Sequence, residues 1–305
     1  MKRKIAAIVV TYNRKEMLIQ NIEALLNQTY EDMDILIIDN GSSDGTYEFI
    51  YNFIDNQKIH YQNTQRNLGG AGGFNYGIKE AIKGEYEYIW LMDDDCLPNE
   101  KCLEKLINAD EELEGRYGFL SSVTYWKDGK LCNMNIQKVS LYKKLKECDE
   151  RFSPVIMASF VSLFMKTETV IEMGLPIKEF FIWADDLEYT RRISRKYPSY
   201  VVNNSNVIHD TNSNTGSNIA IDDARIERYR YAYRNEFYVA RKEGVNGILY
   251  QLCKILYHIA KVLCSKNVNK WRKMKIIISS SYRGIFFNPK IEFIQVKTSG
   301  RKSCI

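Results

Sequence analysis

The chain has 305 residues, 45% of them hydrophobic and 27% charged, which suits one large α/β domain or a core domain with a smaller appendage. That balance argues against a disordered, collagenous or polytopic membrane chain. Three His disfavour a multi-His zinc enzyme. Seven scattered Cys without CxxC spacing, and a start without a signal-peptide pattern, set the expectation of a reducing, cytosolic setting. The net charge of +5 is unevenly spread. Residues 225–305 carry 18 Lys and Arg against 4 Glu, whereas residues 1–224 carry 25 basic and 34 acidic side chains. An acidic body suits a cation-assisted site, and a basic tail suits phosphate-rich surfaces.

In chain order, Ile5 to Val10 is a short apolar run that reads as a buried parallel strand. Lys15 to Gln28 has helical periodicity through Met17, Leu18, Ile22, Leu25 and Leu26. A second strand, Ile35 to Ile38, ends at the turn-forming cluster Asp39 to Gly45, and Thr46 to Phe53 reads as a helix. The strand Ile59 to Tyr61 leads through Asn67 into Gly69, Gly70, Gly72 and Gly73, which open a helix ending near Lys83. Tyr88 to Met92 is the next strand, followed at once by Asp93, Asp94 and Asp95. This alternation predicts an open, mostly parallel α/β sheet with helices on both faces. Further on, strands are expected over Tyr117 to Tyr125, Pro154 to Met165 and Tyr200 to Val202. Helices are expected over Lys101 to Leu113, Thr167 to Met173 and Asp186 to Lys196. After an Asn/Ser/Thr-rich stretch the pattern becomes long amphipathic helices, Asp222 to Glu243 and Val245 to Cys264, so a soft boundary falls near 216.

Ligands of open parallel sheets bind beyond the carboxyl ends of the strands. The polar residues there are Thr11 to Arg14, Asp39 with Asn40, Asn67 with the glycines, and the aspartate trio. Singly, each has a plain reading as a helix cap or a turn; together they form a constellation. No Gly precedes Gly41 and no GxxxxGK[ST] occurs, which disfavours ordinary dinucleotide-binding and P-loop folds. Three consecutive carboxylates after a buried strand repel one another unless a cation offsets them. In extended backbone Asp93 and Asp95 would point the same way toward one hard Mg²⁺ or Mn²⁺ carrying a diphosphate. A second acidic cluster, Asp185, Asp186 and Glu188, follows the aromatic run Phe180, Phe181 and Trp183. Helix capping is its plain reading; a sugar-stacking wall beside a carboxylate of raised pKa is the functional one. His209, after a strand-like run, is suited to complete a site begun by Asp93 and Asp95, while His60 and His258 read as structural.

These features resemble the family 2 inverting glycosyltransferases of GT-A fold over roughly residues 4–212. The resemblance rests on Ile8 to Asn13, Ile37 to Thr46, Asn67 to Gly70, the Asp trio and Asp185 to Glu188. Asn67 to Phe74, the Trp-acidic segment, the later His and Tyr231 to Glu236 look most like the galactofuranosyltransferase and rhamnosyltransferase branch. Ala184 is a departure, because related enzymes place the Trp directly beside the aspartate pair. The chain also lacks the extra N-terminal β-domain of the large galactan polymerases. The resemblance implies that Thr11, Asn13 and Asp39 hold the nucleobase and ribose, and that Asn67, Gly69 and Gly70 lie along the nucleotide sugar. It implies that Asp93 meets ribose or metal with Asp94 beside it, and that Asp95 and His209 ligate the metal. Asp186, or Asp185, would be the base, with Trp183 and Glu188 at the substrate. The implied donor is UDP- or dTDP-linked, galactofuranose ahead of rhamnose, and the acceptor a saccharide or lipid-linked saccharide.

The expected division is thus a catalytic domain over 1–216 and a basic helical region over 217–305. Lys254 and Lys261 interrupt the run from Gly247 to Cys264, which is too short to span a bilayer. With Lys266, Lys270, Arg272, Lys273 and Lys275 following, it suits an interfacial helix on an anionic membrane, peripheral to the inner face. A core-packing or homo-oligomer helix is the equal alternative. Two other classes compete for function: a metal-dependent sugar nucleotidyltransferase, and a non-catalytic sugar-nucleotide-binding protein. No nucleic-acid motif accompanies the basic tail.

Overall fold

The computed structural model describes residues 3–146, 150–266 and 268–295; the last part of the expected basic tail, 296–305, lies outside them. The first half alternates as its apolar runs predict: β1 (Ile5–Thr11), α1 (Lys15–Leu26), β2 (Met33–Asp39), α2 (Thr46–Ile54), β3 (Ile59–Asn63), α3 (Gly69–Lys83) and β4 (Tyr88–Asp93). Next come β5 (Cys96–Pro98), α4 (Cys102–Glu112), β6 (Leu120–Trp126), β7 (Phe152–Pro154), β8 (Leu163–Lys166) and α5 (Thr167–Met173). A 3-10 turn (Lys178–Phe180), α6 (Asp185–Ser194), β9 (Tyr200–His209), α7 (Arg228–Lys242), α8 (Gly244–Cys264) and α9 (Lys270–Phe286) complete the chain.

The described strands form one mixed sheet in the order β3-β2-β1-β4-β8-β6-β9-β5, with β7 on β9. β3, β2, β1 and β4 run parallel, as does β6 with β9, but β8 runs antiparallel to both of its neighbours. Side chains of a strand alternate between faces, so β1 feeds two cores at once. Ile5, Ala7 and Val9 join Leu18, Ile22, Ile50, Leu103 and Leu106 on one face. Ala6, Ile8 and Val10 join Phe74, Ile78, Val170, Tyr189 and Ile193 on the other. Helices therefore cover both faces, as a buried parallel sheet requires.

Two expected elements are revised. The run from Pro154 to Met165 is not one strand: it ends at β7 and resumes at β8, interrupted where Ser162 adopts a positive φ of 65°. The helix expected from Asp222 starts only at Arg228. Asp222 instead accepts hydrogen bonds from the Arg225 backbone and guanidinium, and the buried Lys273 ammonium donates to the Ala220 carbonyl at 3.0 Å. Such side-chain bonds compete with helix initiation. The boundary near 216 does not mark a detached unit. Tyr238 and Val239 of α7 share a core with Ala71, Met157, Phe180 and Ala184.

α3 lies unusually close to the sheet. A Cβ on Gly77 would stand 2.5 Å from Ile8 Cγ2 and 2.9 Å from Ile38 Cγ1, and one on Gly73 would stand 2.5 Å from Val10 Cγ1. Gly77→Val is expected to cost about 1–3 kcal/mol through overpacking. Gly70→Ala, with nothing within 4 Å of the added atom, should leave stability nearly unchanged. Chemical denaturation of the two variants checks the contrast.

Candidate active site

The strand order reverses between β1 and β4, and the crevice of an open α/β sheet forms beyond that reversal. Register brings the polar strand ends together: Thr11 pairs with Asp39, and Val10 pairs with Asp93. The Thr11 hydroxyl donates to Asp94 Oδ2 at 2.7 Å, binding the end of β1 to the aspartate turn. Asp39 is buried and fully engaged, accepting from the Ser42 amide at 2.8 Å and from the Tyr61 hydroxyl at 2.6 Å.

Asn13, expected at the nucleotide, has a positive φ of 53° and ties the end of β1 to the loop after β2. Its Oδ1 accepts from the Ser43 amide at 2.8 Å, and its own amide donates to Ser42 Oγ at 2.9 Å. Asn67 Oδ1 likewise accepts from the Gly69 amide at 2.8 Å. Gly69 serves packing before anything else: its φ is +71°, and a Cβ there would stand 2.1 Å from the Phe181 carbonyl oxygen. Gly70 alone of that pair faces open space.

Asp94 and Asp95 sit in a turn between β4 and β5 rather than in extended backbone, so the expected alternation of the trio does not hold. Their partner is Arg14, which sequence reasoning left without a role. Its guanidinium donates to Asp95 Oδ2 at 2.6 Å and to Asp94 Oδ1 at 3.2 Å. Burial disfavours that cation, yet Asp94 and Asp95 outweigh burial and raise its pKa further. On the opposite side of Asp95, His209 Nε2 lies 3.0 Å from Oδ1. Nδ1 lies 2.8 Å from Asn135 Oδ1, to which it donates, and this bond orients the ring. Burial opposes imidazolium formation, but Asp95 and the other acidic neighbours push His209 up to about 10. Asp95 is held below the ordinary carboxyl range: burial opposes its ionisation, and His209 with Arg14 overcomes it. Asp93 and Asp94 go the other way, burial raising them to about 7 and about 6.

Among the described residues, Asp95, Cys96 and His209 each place one ligand atom within 4.8 Å of the others. Cys96 belongs to the apolar core, where burial drives its thiol well above its usual value. The thiolate that a soft metal needs is therefore disfavoured. What remains is a carboxylate and an imidazole, donors that fit Mn²⁺ or Mg²⁺. Asp93, the other expected ligand, is not among the residues whose ligand atoms gather there, and it meets Asp95 and His209 through its charge.

The second acidic cluster opens α6, behind a strained entry. Phe181, Trp183 and Ala184 all have positive φ, 62°, 67° and 64°. Non-Gly residues rarely adopt that region, and holding several there needs support from outside the segment. Asn235 of α7, fully buried, supplies it. Its Nδ2 lies 2.9 Å from the Phe180 carbonyl oxygen, 2.9 Å from that of Trp183 and 3.2 Å from that of Ile182. Arg234 in turn donates to Asn235 Oδ1 at 2.8 Å and to the Glu179 carbonyl at 2.6 Å. Ala184, the departure from the family pattern, is thus the left-handed residue just before α6.

The two aspartates differ. Asp185 is buried and its pKa rises well above normal, first through burial and then through Asp186, with Asp93 adding to the effect. Asp186 remains partly open to solvent; burial raises it to about 6, against the pull of the Leu187 amide and the Lys138 ammonium. Glu188 does not face the cleft. Both its oxygens receive Arg192 at 3.0 Å, and Arg192 also donates to the Leu175 carbonyl, so the expected substrate role gives way to a structural one. Trp183 leans edge-on against Tyr229, centroids 5.0 Å apart, with the Arg225 guanidinium 5.8 Å from its ring.

A family model described as glycosyl transferase family 2 matches residues 6–159. The chain belongs to glycosyl transferase family 2. It is a glycosyltransferase, and the competing nucleotidyltransferase reading falls. The galactofuranosyltransferase GlfT1 of Mycolicibacterium smegmatis is 23% identical over 265 residues, covering 81% of this chain and 86% of that protein. A poly-beta-1,6-N-acetyl-D-glucosamine synthase of Staphylococcus epidermidis is 35% identical, but over only 91 residues, 30% of this chain and 21% of that one. Among solved structures, the mannosyltransferase PcManGT of Pyrobaculum calidifontis, in complex with GDP-Man and Mn²⁺, superposes with a TM-score of 0.60 at 15% identity, over 94% of this chain and 88% of that one. S. aureus TarS 1-349 in complex with UDP gives 0.54 at 13% identity, over 93% and 72%. These likenesses show the GT-A fold.

The roles of Arg14, Asn135 and Asn235 went unread because their partners lie 52 to 81 residues away in sequence. Arg14 was read only among the polar residues that follow the first strand, and Asn235 only within the Tyr231 to Glu236 motif. Asn235→Ala takes the donor from the Ile182 and Trp183 carbonyls, while the Phe180 carbonyl keeps Arg234 at 3.3 Å. It is expected to cut the transfer rate at least tenfold while nucleotide binding, read by calorimetry, stays within about twofold. An unchanged rate would show that the strained entry holds itself.

Proposed function

We propose that this enzyme is an inverting, metal-dependent glycosyltransferase using a nucleoside-diphosphate sugar. UDP-galactofuranose is the favoured donor and dTDP-rhamnose the second. The acceptor is a hydroxyl of a growing cell-surface polysaccharide or a lipid-linked oligosaccharide. One observation carries the reading: a partly open carboxylate near neutrality, Asp186, and the Asp95–His209 pair belong to one continuous acidic site, joined through Asp185 and Asp93.

In this reading Asp186 takes the acceptor proton as the hydroxyl oxygen bonds to the anomeric carbon. The bond from that carbon to the diphosphate oxygen breaks on the opposite side, and the configuration inverts. A pKa of about 6 keeps Asp186 ionised at neutral pH yet basic enough to accept a proton. Asp93, Asp95 and His209 would hold a divalent cation, whose chemistry is to neutralise charge on the departing diphosphate. Arg14, half-exposed beside Asp95, adds positive potential to the same place. Asp39 and Thr11 border the nucleoside end, with Gly70 opening the floor. The galactofuranose preference rests on the GlfT1 relatives, and the nucleotide-plus-Mn²⁺ reading draws support from the PcManGT complex. A cytoplasmic setting suits the free cysteines, Cys96, Cys102 and Cys132 among them.

Asp186→Asn is expected to lower transfer by roughly 10²–10⁴ while leaving UDP affinity intact. Full turnover in that variant would remove Asp186 from the role. For the parent enzyme, kcat/KM should fall tenfold per pH unit below about 6, because the protonated carboxyl cannot act as a base and its folded pKa is raised. A profile flat down to pH 4.5 contradicts this. In a panel of UDP- and dTDP-sugars with Mn²⁺, Asp95→Ala should abolish metal-stimulated donor hydrolysis; stimulation that survives refutes the metal assignment.

A further inference from the structure

The C-terminal helices have a surface that the reaction does not use. α8 is 21 residues long and apolar enough to pass for a membrane span, yet only 17% of its most apolar stretch is buried. Its inner side, Gln251, Ile255 and Val262, packs against the protein. Its outer side presents Leu249, Leu252, Leu256 and Leu263, continued past the helix end by Val268 and Trp271, which are 93% and 82% exposed. At 1.5 Å per residue the stripe from Leu249 to Leu263 runs about 21 Å. Contiguous apolar surface of this size on a soluble body marks an interaction site.

The charge around it selects the partner. Between Gly244 and Phe286 there are eight Lys and Arg and no Asp or Glu. Lys254, Arg272 and Lys273 pair with Glu236, Glu227 and Asp223 from elsewhere. Lys261, Lys266, Lys270, Lys275 and Arg283 form no ion pair among the described residues. A second copy of the chain docked face to face would bring like charges together around its apolar centre. An anionic lipid surface accepts both features, leucines and Trp below the headgroups and ammonium groups among them. Spanning is excluded by the Lys254–Glu236 pair at 2.8 Å and by the buried inner side, both of which hold α8 flat against α7.

We infer that the outer face of α8 and the turn into α9 dock this enzyme on an anionic bilayer, with α8 lying in the interface plane. The inference does not depend on which sugar is transferred.

Co-sedimentation of the full chain with vesicles of phosphatidylcholine, or of phosphatidylcholine and phosphatidylglycerol at 7:3, tests it. At 50 mM NaCl the expected partitioning is at least tenfold stronger on the anionic vesicles and weakens on raising NaCl to 500 mM. Leu256→Glu with Trp271→Glu should reduce it at least tenfold, and Lys261→Glu, Lys266→Glu and Lys275→Glu together at least as much. These exposed substitutions should leave thermal unfolding and donor hydrolysis unchanged, so a loss of binding is not a loss of folding or of the active site. No sedimentation with either vesicle at 50 mM NaCl overturns the proposal. Binding that survives both variant sets overturns it as well. So does a vesicle-free dimer that Leu256→Glu dissociates, which would give the face to a second copy.

Discussion

Too many carboxylates share too little space at the carboxyl edge of this sheet. Asp93, Asp94, Asp95, Asp185 and Asp186 converge there, with Arg14 and His209 beside the first three and Lys138 toward Asp186. Four of the five are pushed toward neutrality, chiefly by burial, and only Asp95, held between the two cations, is drawn the other way. Buried acidic clusters of this kind weaken a fold unless something positive completes them. The divalent cation proposed above would complete this cluster. The Thr11 and Asn135 hydrogen bonds serve to keep the ligand-facing groups in place until one arrives.

The same economy explains why the C-terminal helices belong to the catalytic body. The family match ends at residue 159, yet Asp186 and His209, proposed as base and metal ligand, lie beyond it. Just before Asp186 runs a backbone with three left-handed non-Gly residues in four, held from outside by Asn235 and Arg234 of α7. α7 is packed against α8 through the Lys254–Glu236 pair, and Lys273 of α9 ties down the loop before α7. Removing residues beyond 216 would leave the base on an unsupported, strained turn.

Much of this was legible in the sequence, for identifiable reasons. Apolar runs of four to six residues ending in Asp or Asn fix parallel strands and their functional ends together, so Thr11, Asp39 and the trio could be placed without coordinates. The trio's internal geometry could not, because a turn replaces the extended backbone that would align Asp93 with Asp95. Glu188 looked like part of the acidic cluster, but it lies one helical turn from Arg192 and pairs there. Asn13 has the residue type of a ligand contact and spends it on the Ser43 amide of the loop after β2. Polar side chains near a site are ambiguous until their nearest backbone donors are counted, and those depend on local φ and ψ. Arg14 and Asn235 were obscure for the opposite reason, since their partners come from distant segments.

The arrangement of α7 and α8 also relates the two acidic and apolar features of the molecule. Asp186 faces Lys138, whose ammonium is lowered by burial and by Lys254, with Glu236 opposing. Lys254 and Glu236 thus couple Lys138, beside Asp186, to α8. On the reading proposed above, with α8 docked on a bilayer, an acceptor attached to a lipid would keep its chain in the bilayer while its sugar reaches Asp186.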